Sequence, residues 1–339
     1  MNEITFPKTY VVFRSNKPIV IDGKDNDLSW EGVDFTTSFL DIEGVKTPSQ
    51  STKVKMLWDD DFLYIYALLK EKHVWGNLKK RDTVIFFNND FEVFISPSNT
   101  THNYAEIEVN ALNTVWDLKL DKPYNVNGKA DNNWDLQNLK TAVFVKGTLN
   151  NSTDIDDFWS VEMAIPLVDL AFLKVKNKKV PIDKEQWRIN FSRVEWDFDL
   201  KNNHYSRKKV ANSFLPEYNW VWSNQKVINM HLPEHWGYIQ FSKNLPSKRI
   251  LFKHQTDVLT EQISYAIFRE IKTKKHELLL KKPINTIVNF KPFTIKKQQI
   301  MSTFLKTEKG FMLTIINKTK NISYQINQDK LILRNSNNN

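Results

Sequence analysis

Cysteine is absent from the 339-residue chain. Disulfide frameworks, Cys-ligated zinc and thiol nucleophiles are therefore excluded, while a disulfide-free chain suits either a reducing or an oxidising compartment. Glycine is scarce, at 8 residues. No phosphate-cradling G-x-x-x-x-G-K-[ST] loop occurs, and neither does G-x-S-x-G or H-E-x-x-H. No apolar run approaches the ~18 residues of a membrane span, so no membrane span is expected. The opening MNEITFPKTY lacks the basic stretch and following apolar run of a secretory leader. Tryptophan is missing from one end, since all 11 lie at or before Trp236. Acids are sparse in the same region: from Phe241 to Asn339, 19 Lys and Arg stand against 6 Asp and Glu, whereas the first 240 residues carry 29 against 33. The formal charge of +9 thus belongs to a tail and is not a whole-protein nucleic-acid signature. Only Arg249, Arg269 and Arg334 among the tail's cations are arginine. Nucleic-acid recognition favours arginine forks and exposed aromatics, so no nucleic-acid partner is expected.

What is present is β-pattern. The length suggests two domains, and the charge and Trp asymmetry divides them into 1–242 and 243–339. Residues 9–21 hold two short β-prone runs, and DGKDNDLSWEGV (22–33) a turn with one helical turn near Trp30. TKVKMLW (52–58) places Val54, Met56 and Trp58 on one face, and FLYIYALL (62–69) is apolar on both faces, as a central strand is. FEVFI (91–95) and HNYAEIEVNA (102–111) alternate cleanly. Phe91, Val93, Ile95, Ala105, Ile107 and Val109 share an apolar side; Glu92, Tyr104, Glu106, Glu108 and Asn110 are opposite. A polar loop (122–135) carries Tyr124 and Trp134. Further strands read at 113–120, 139–147, 158–165, 185–196, 218–223 and 236–242, with a short helix after Pro166 and a polar excursion at 197–217. Many short strands and little helix predict an antiparallel β-sandwich of jelly-roll or immunoglobulin-like type. The tail predicts a small α+β extension: a helix over 264–282, strands at 299–308, 310–317, 323–328 and 331–335, and a disordered NSNNN end.

The chemistry concentrates on the polar side of 91–111. An alternating antiparallel strand ordinarily has one wet face. The same side chains suit a sugar, whose hydroxyls need carboxylates and amides and whose C–H faces need an aromatic plane. Trp58 and Trp187 share parity with aliphatics and read as core. Trp75 and Trp134 sit in polar surroundings and read as ligand contacts. Glu106 and Glu108, at i and i+2, have Cα atoms about 7 Å apart, a spacing open to a carboxylate pair acting on a glycosidic bond. The acidic groups around Asp22, Asp59, Asp90 and Asp154 lack EF-hand spacing; a calcium site assembled from separate loops would draw on Asp22 and Asp90. A haem ligand pair is disfavoured, because Met230 and His231 are adjacent and point opposite ways.

Five segments in order carry a resemblance: IDGKDNDLSW, VKMLWDDDFLYIYALLKEKHVWGNLKKRDTVIFFNNDFEVFISP, HNYAEIEVNALNTVWDL, WRINFSRVEW and VWSNQKVINMHLPEHWGYIQF. Over about residues 18–242 the chain resembles bacterial carbohydrate-binding family 9-like proteins. The resemblance implies a jelly-roll-like sandwich, sugar binding without catalysis, structural calcium in some relatives with no other cofactor required, and a periplasmic or extracellular location in polysaccharide utilisation. Such modules grip sugar between two indoles helped by amides and charged groups. Carried over, Trp75 is the first indole and Trp196 or Trp222 the second. On the reading of the residues themselves, Glu92, Glu108, Asn110 and Asn190 would supply hydrogen bonds, Tyr104 and Trp134 further contacts, and Arg193 and Glu195 support at the rim. Where relatives offer an arginine on the polar strand, this chain has Glu106 and Glu108. Two other readings use the same features: a polysaccharide-acting glycosidase or lyase, and a scaffold protein docking a partner through its tail.

Overall fold

The computed structural model describes residues 4, 6–175, 177–273 and 276–336. Alternation builds its core. Strands Asp90–Ser96, Tyr104–Asn110 and Gln186–Glu195 send Phe91, Val93, Ile95, Ile107, Val109, Ile189 and Phe191 inward. They meet Val54, Met56 and Trp58 of Thr52–Trp58, Ile65 and Ala67 of Phe62–Lys70, and Val161 and Met163 of Phe158–Pro166 in one buried apolar cluster. The core therefore lies between two layers, the arrangement of a β-sandwich.

One layer runs Ala130–Asp131, Val115–Leu120, Tyr104–Asn110, Asp90–Ser96, Gln186–Glu195, Gly237–Phe241, Thr9–Arg14. The other runs Thr9–Arg14, Thr52–Trp58, Phe62–Lys70, Phe158–Pro166, Lys140–Lys146. Thr9–Arg14 belongs to both: Thr9 to Val12 pair with Tyr238 to Phe241, and Phe13 and Arg14 with Leu57 and Trp58. Both of its pairings are parallel, the one departure from the antiparallel expectation among the described residues, and the long intervening chain satisfies the crossover that parallel pairing needs. The second β-prone run expected within 9–21 stays irregular, because residues 17–21 cross the outer face instead of pairing. The central strand is covered on both sides as its composition requires: Leu63 and Ile65 face the core, while Tyr64 and Tyr66 pack outward beneath Trp30. Trp222 is a core residue, 1% exposed. Its ring lies over Gly237, where an added Cβ would fall 2.3 Å from the indole.

The polar excursion folds into two small hairpins, Phe198–Lys201 with His204–Arg207 and Lys209–Val210 with Ser213–Phe214. In the tail, the helix is Val258–Ile271, six residues earlier than the periodicity of 264–282 suggests. Asp257 sets its start by accepting the Thr260 amide at 2.9 Å, an N-cap that outranks the amphipathic signal further on. A separate turn of helix follows at Glu277–Leu280. Five strands follow, a short one at Ile287–Asn289 and then Gln298–Thr307, Gly310–Asn317, Ile322–Asn327 and Ile332–Ser336, with Phe293–Ile295 at the side. The expected disordered end is partly structured: Asn335 and Ser336 belong to the last strand, and 337–339 lie outside the described residues. No described helix is long and apolar enough to cross a membrane.

The extension has its own apolar cluster, including Ile263, Phe268, Phe304, Leu313 and Ile326. Buried charge ties it to the sandwich. Arg188 bonds Glu261, with Tyr238 Oη at 2.7 Å from the guanidinium, and Arg334 reaches Glu261 at 3.0 Å. Glu234 pairs with Lys330 at 2.6 Å and Arg269 at 3.2 Å. Burial pushes the Glu234 carboxyl up, but the Lys330, His235 and Arg269 charges outweigh it and hold it down at about 2.

Two outcomes follow. Trp222→Ala should cost about 3–5 kcal/mol of unfolding free energy, as a large aromatic removed from a packed core does; urea unfolding measures it. Lys330→Met leaves Glu234 buried with part of its compensation gone, and a loss of up to about 3–5 kcal/mol is expected. Because folding lowers the Glu234 pKa, its ionisation stabilises the protein above pH 4.5, and that stabilisation is lost as pH falls towards about 2. Removing Lys330 should move acid unfolding to higher pH, read by Trp fluorescence.

Candidate functional site

The outward side of the 90–96 and 104–110 strands carries the site. Glu92 stands directly across from Glu108, Phe94 from Glu106 and Asp90 from Asn110. On the other side Ser192 faces Glu92 and Val194 faces Asp90. Expected to be wet, this side is buried. Segments from elsewhere roof it: the turn Ile85–Phe87, the strand Tyr218–Val221, the loop 223–236 and the turn at Tyr124–Val126. Below the roof remains a pocket of about 330 Å³. Its floor is Glu92, Glu106 and Glu108; Phe86, Phe94, Trp116 and Tyr124 are its aromatic walls; Glu217, Asn219 and His231 stand at its edge.

The floor is electrostatically crowded. Asp90, Glu92 and Glu108 each place a carboxylate oxygen within 4.8 Å of the others. At an effective dielectric of about 20, each ionised pair at that spacing costs about 3 kcal/mol. Burial first, and then repulsion among the acids, pushes Asp90, Glu106 and Glu108 well above the ordinary carboxylate range. Burial pushes Glu92 up to about 7. His231 does not compensate: its Nε2 is 3.9 Å from Glu106, but burial lowers its pKa to about 4, so the ring is neutral near pH 7. Its Nδ1 is 2.9 Å from Tyr104 Oη, and the Tyr124 ring lies 4.5 Å away, edge on. Tyr124 is 46% exposed at the pocket mouth.

Of the residues expected to hold sugar, the structure brings Glu92 and Glu108 to this pocket, and Glu108 also accepts the Phe86 amide at 3.0 Å. The others have different work. Trp75 and Trp196 do meet, in a cluster behind the Val194 and Phe86 wall, yet Trp75 is 2% exposed and Tyr205 stacks against it at 6.1 Å. The hairpin that supplies Tyr205 closes over the indole, which is why a Trp in a polar loop is not accessible. Trp196 donates its indole N–H to the Phe86 carbonyl at 2.8 Å. Trp222 is in the core and Trp134 packs against it. Asn190 exchanges two 2.8 Å hydrogen bonds with the Ser223 backbone and pins the roof. Asn110 organises the turn after its strand through Leu112, Thr114 and Leu78. Tyr104 lies beneath, against Trp236. Arg193 and Glu195 point to the inward side, where Arg193 bridges the layers to Glu71 at 2.7 Å and to the Lys70 carbonyl at 2.7 Å. They close one end of the core instead of forming a rim. Asp22 caps its own turn near Glu162 of the second layer, so the fold does not bring it to Asp90.

Phe86, Glu217, Asn219 and His231 complete the pocket without a local pattern that marks them. Tyr124 did carry one signal, a large aromatic in a long polar loop. These contributions come from segments up to about 145 residues apart, between Phe86 and His231.

Among solved structures, a family 9 carbohydrate-binding module from Caldicellulosiruptor kristjanssonii in complex with cellotriose is 17% identical, covering 73% of this chain and all of that one, with a TM-score of 0.46. The same module with glucose gives 17% identity, 71% and 99% coverage and 0.45. A protein from Bacteroides uniformis gives 15%, 69% and 99%, and 0.49. No curated protein matches the chain. The family model described as carbohydrate family 9 binding domain-like matches residues 21–227, well over half the chain and all of the strands that build the pocket floor. The chain belongs to the carbohydrate family 9 binding domain-like family.

Proposed function

We propose that the protein binds carbohydrate, without cleaving it, in the pocket over the 90–96 and 104–110 strands. One observation carries this reading: a cavity of about 330 Å³ with aromatic walls and a floor of hydrogen-bonding acids. Its volume is at the lower end for small-ligand pockets, suited to one or two sugar rings of a longer chain. The exposed Tyr124 ring supplies the plane for a C–H face. Glu92, Glu106, Asn219 and the neutral His231 supply acceptors and donors for hydroxyls. The residues that grip are therefore Tyr124, Trp116 and Phe86 with these polar groups, in place of the Trp75 and Trp196 or Trp222 pair. Family membership supports a periplasmic or extracellular place of action in polysaccharide utilisation.

Isothermal titration with a panel of neutral, acidic and amino-sugar oligosaccharides tests the reading. At least one class should give saturable heat, with the oligosaccharide recovered uncleaved. Tyr124→Ala should weaken that binding about tenfold or more, as loss of an aromatic stacking contact does. Its melting temperature should stay unchanged, because the ring is half in solvent. Absence of heat across the panel, or full binding by the Tyr124 variant, would remove this site from consideration.

A further inference from the structure

We infer that the sugar this pocket takes carries a protonated amine, and that Glu106 is the group its ammonium meets. The inference rests on the carbohydrate reading and names the substrate class within it. The pocket bears charge of one sign. Glu92, Glu106, Glu108 and Glu217 line it, and among the described residues no lysine or arginine does. Arg207 feels the Glu217 charge, but its guanidinium is stacked on Phe87, Trp196 and Phe214, rings that do not line the pocket. A sugar bearing carboxylate or sulfate would bring further negative charge to a floor with no base to receive it.

The acids differ in what they already hold. Asp90 accepts the Val194 amide, Glu92 the Ser192 hydroxyl and Glu108 the Phe86 amide at 3.0 Å. Glu106 accepts no hydrogen bond from the described residues, although it is only 6% exposed. His231 Nε2 stands 3.9 Å from it, beyond hydrogen-bond reach. A buried carboxylate without a donor is costly, and this one turns to the cavity. A hydroxyl would bring it a donor. An ammonium brings a donor and the opposing charge, and it offsets the repulsion from Glu92 that adds to burial in raising the Glu106 carboxyl. The walls suit the same group. Half-buried Trp116 stands directly across from Glu108, and Tyr124 is at the mouth. Aromatic rings beside carboxylates attract an alkylammonium more than a neutral substituent.

Calorimetric titration of the full chain at one near-neutral pH compares three trisaccharides of the same linkage, those of glucosamine, N-acetylglucosamine and glucose. The glucosamine form should bind about tenfold or more tighter than either neutral form. Ethylammonium chloride, an amine with no ring to stack, should bind about tenfold weaker or more than that trisaccharide. Glu106→Gln keeps the side chain's shape and should weaken glucosamine binding about tenfold or more. Its melting temperature should be no lower than the wild type's, because one crowded charge is gone. Equal or tighter binding of a neutral trisaccharide overturns the inference and leaves the carbohydrate reading standing. So does an absence of heat with the glucosamine form while another sugar class binds; no heat from any class removes both. Full glucosamine affinity in Glu106→Gln, or equal affinity for ethylammonium, also overturns the inference.

Discussion

The register of two strands governs this molecule. Asp90–Ser96 and Tyr104–Asn110 alternate with period two, so one set of side chains must be in the core and the other must face away. A slip of one residue would put Glu92, Glu106 and Glu108 between the layers and expel Phe91, Val93, Ile107 and Val109. Each position on the inward side is fully apolar, and no other pairing preserves the core. The acids are therefore held on one face by the hydrophobic requirement of the other. What the fold then adds is a roof over that face, and the roof turns an ordinary polar surface into a low-dielectric pocket.

Two buried charge systems show how much the surroundings decide. Where the extension meets the sandwich, Arg188, Glu261 and Arg334 alternate in sign, and so do Glu234, Lys330 and Arg269. Glu234 stays ionised there, its pKa lowered to about 2. Among the described residues, no lysine or arginine pairs with the pocket-floor acids, and Glu92 rises to about 7. Burial is comparable in the two places, so the difference comes from partners. Paired charge can serve as a rigid joint. Unpaired charge of one sign is a demand for something else, whether protons, an ion or a ligand.

The strand pattern was legible in the sequence because a strand's two faces are written in its own residues. Phe62–Lys70 is apolar on both sides, and it is covered on both sides. Gly310–Asn317 fell where its pattern placed it. The helix start was misplaced because its cap, Asp257, precedes the amphipathic run. The site was legible only in part, for a reason of the same kind. Glu92 and Glu108 lie on strands whose parity assigns them to the outward side. Whether that side is open depends on loops far away in the chain. Trp75 and Trp196 come close together, but Tyr205 from the excursion covers one of them. Trp222 is in the core because Gly237, on a strand it does not itself pair with, leaves room for its ring.

The extension has a part in the same pocket. The loop 223–236 carries Met230 and His231 into the site, and it is held from behind at Glu234 by Lys330 and Arg269 and at the Glu234 carbonyl by Gln262 at 2.7 Å. The opposite edge is held from the tail as well. Lys122, two residues before Tyr124, pairs with Asp329 at 2.7 Å, and Val126 is built into the tail's apolar cluster. His102, at the start of the floor strand, meets the Asp329 carbonyl at 2.7 Å. One turn of the extension, at Asp329 and Lys330, thus reaches both loops that flank the pocket mouth. Aromatic and hydrogen-bonding groups on loops bind sugar well only when little order must be imposed on binding. A basic appendage that pins both loops supplies that order in advance, which gives Asp329 and Lys330 a role independent of any basic-surface partner.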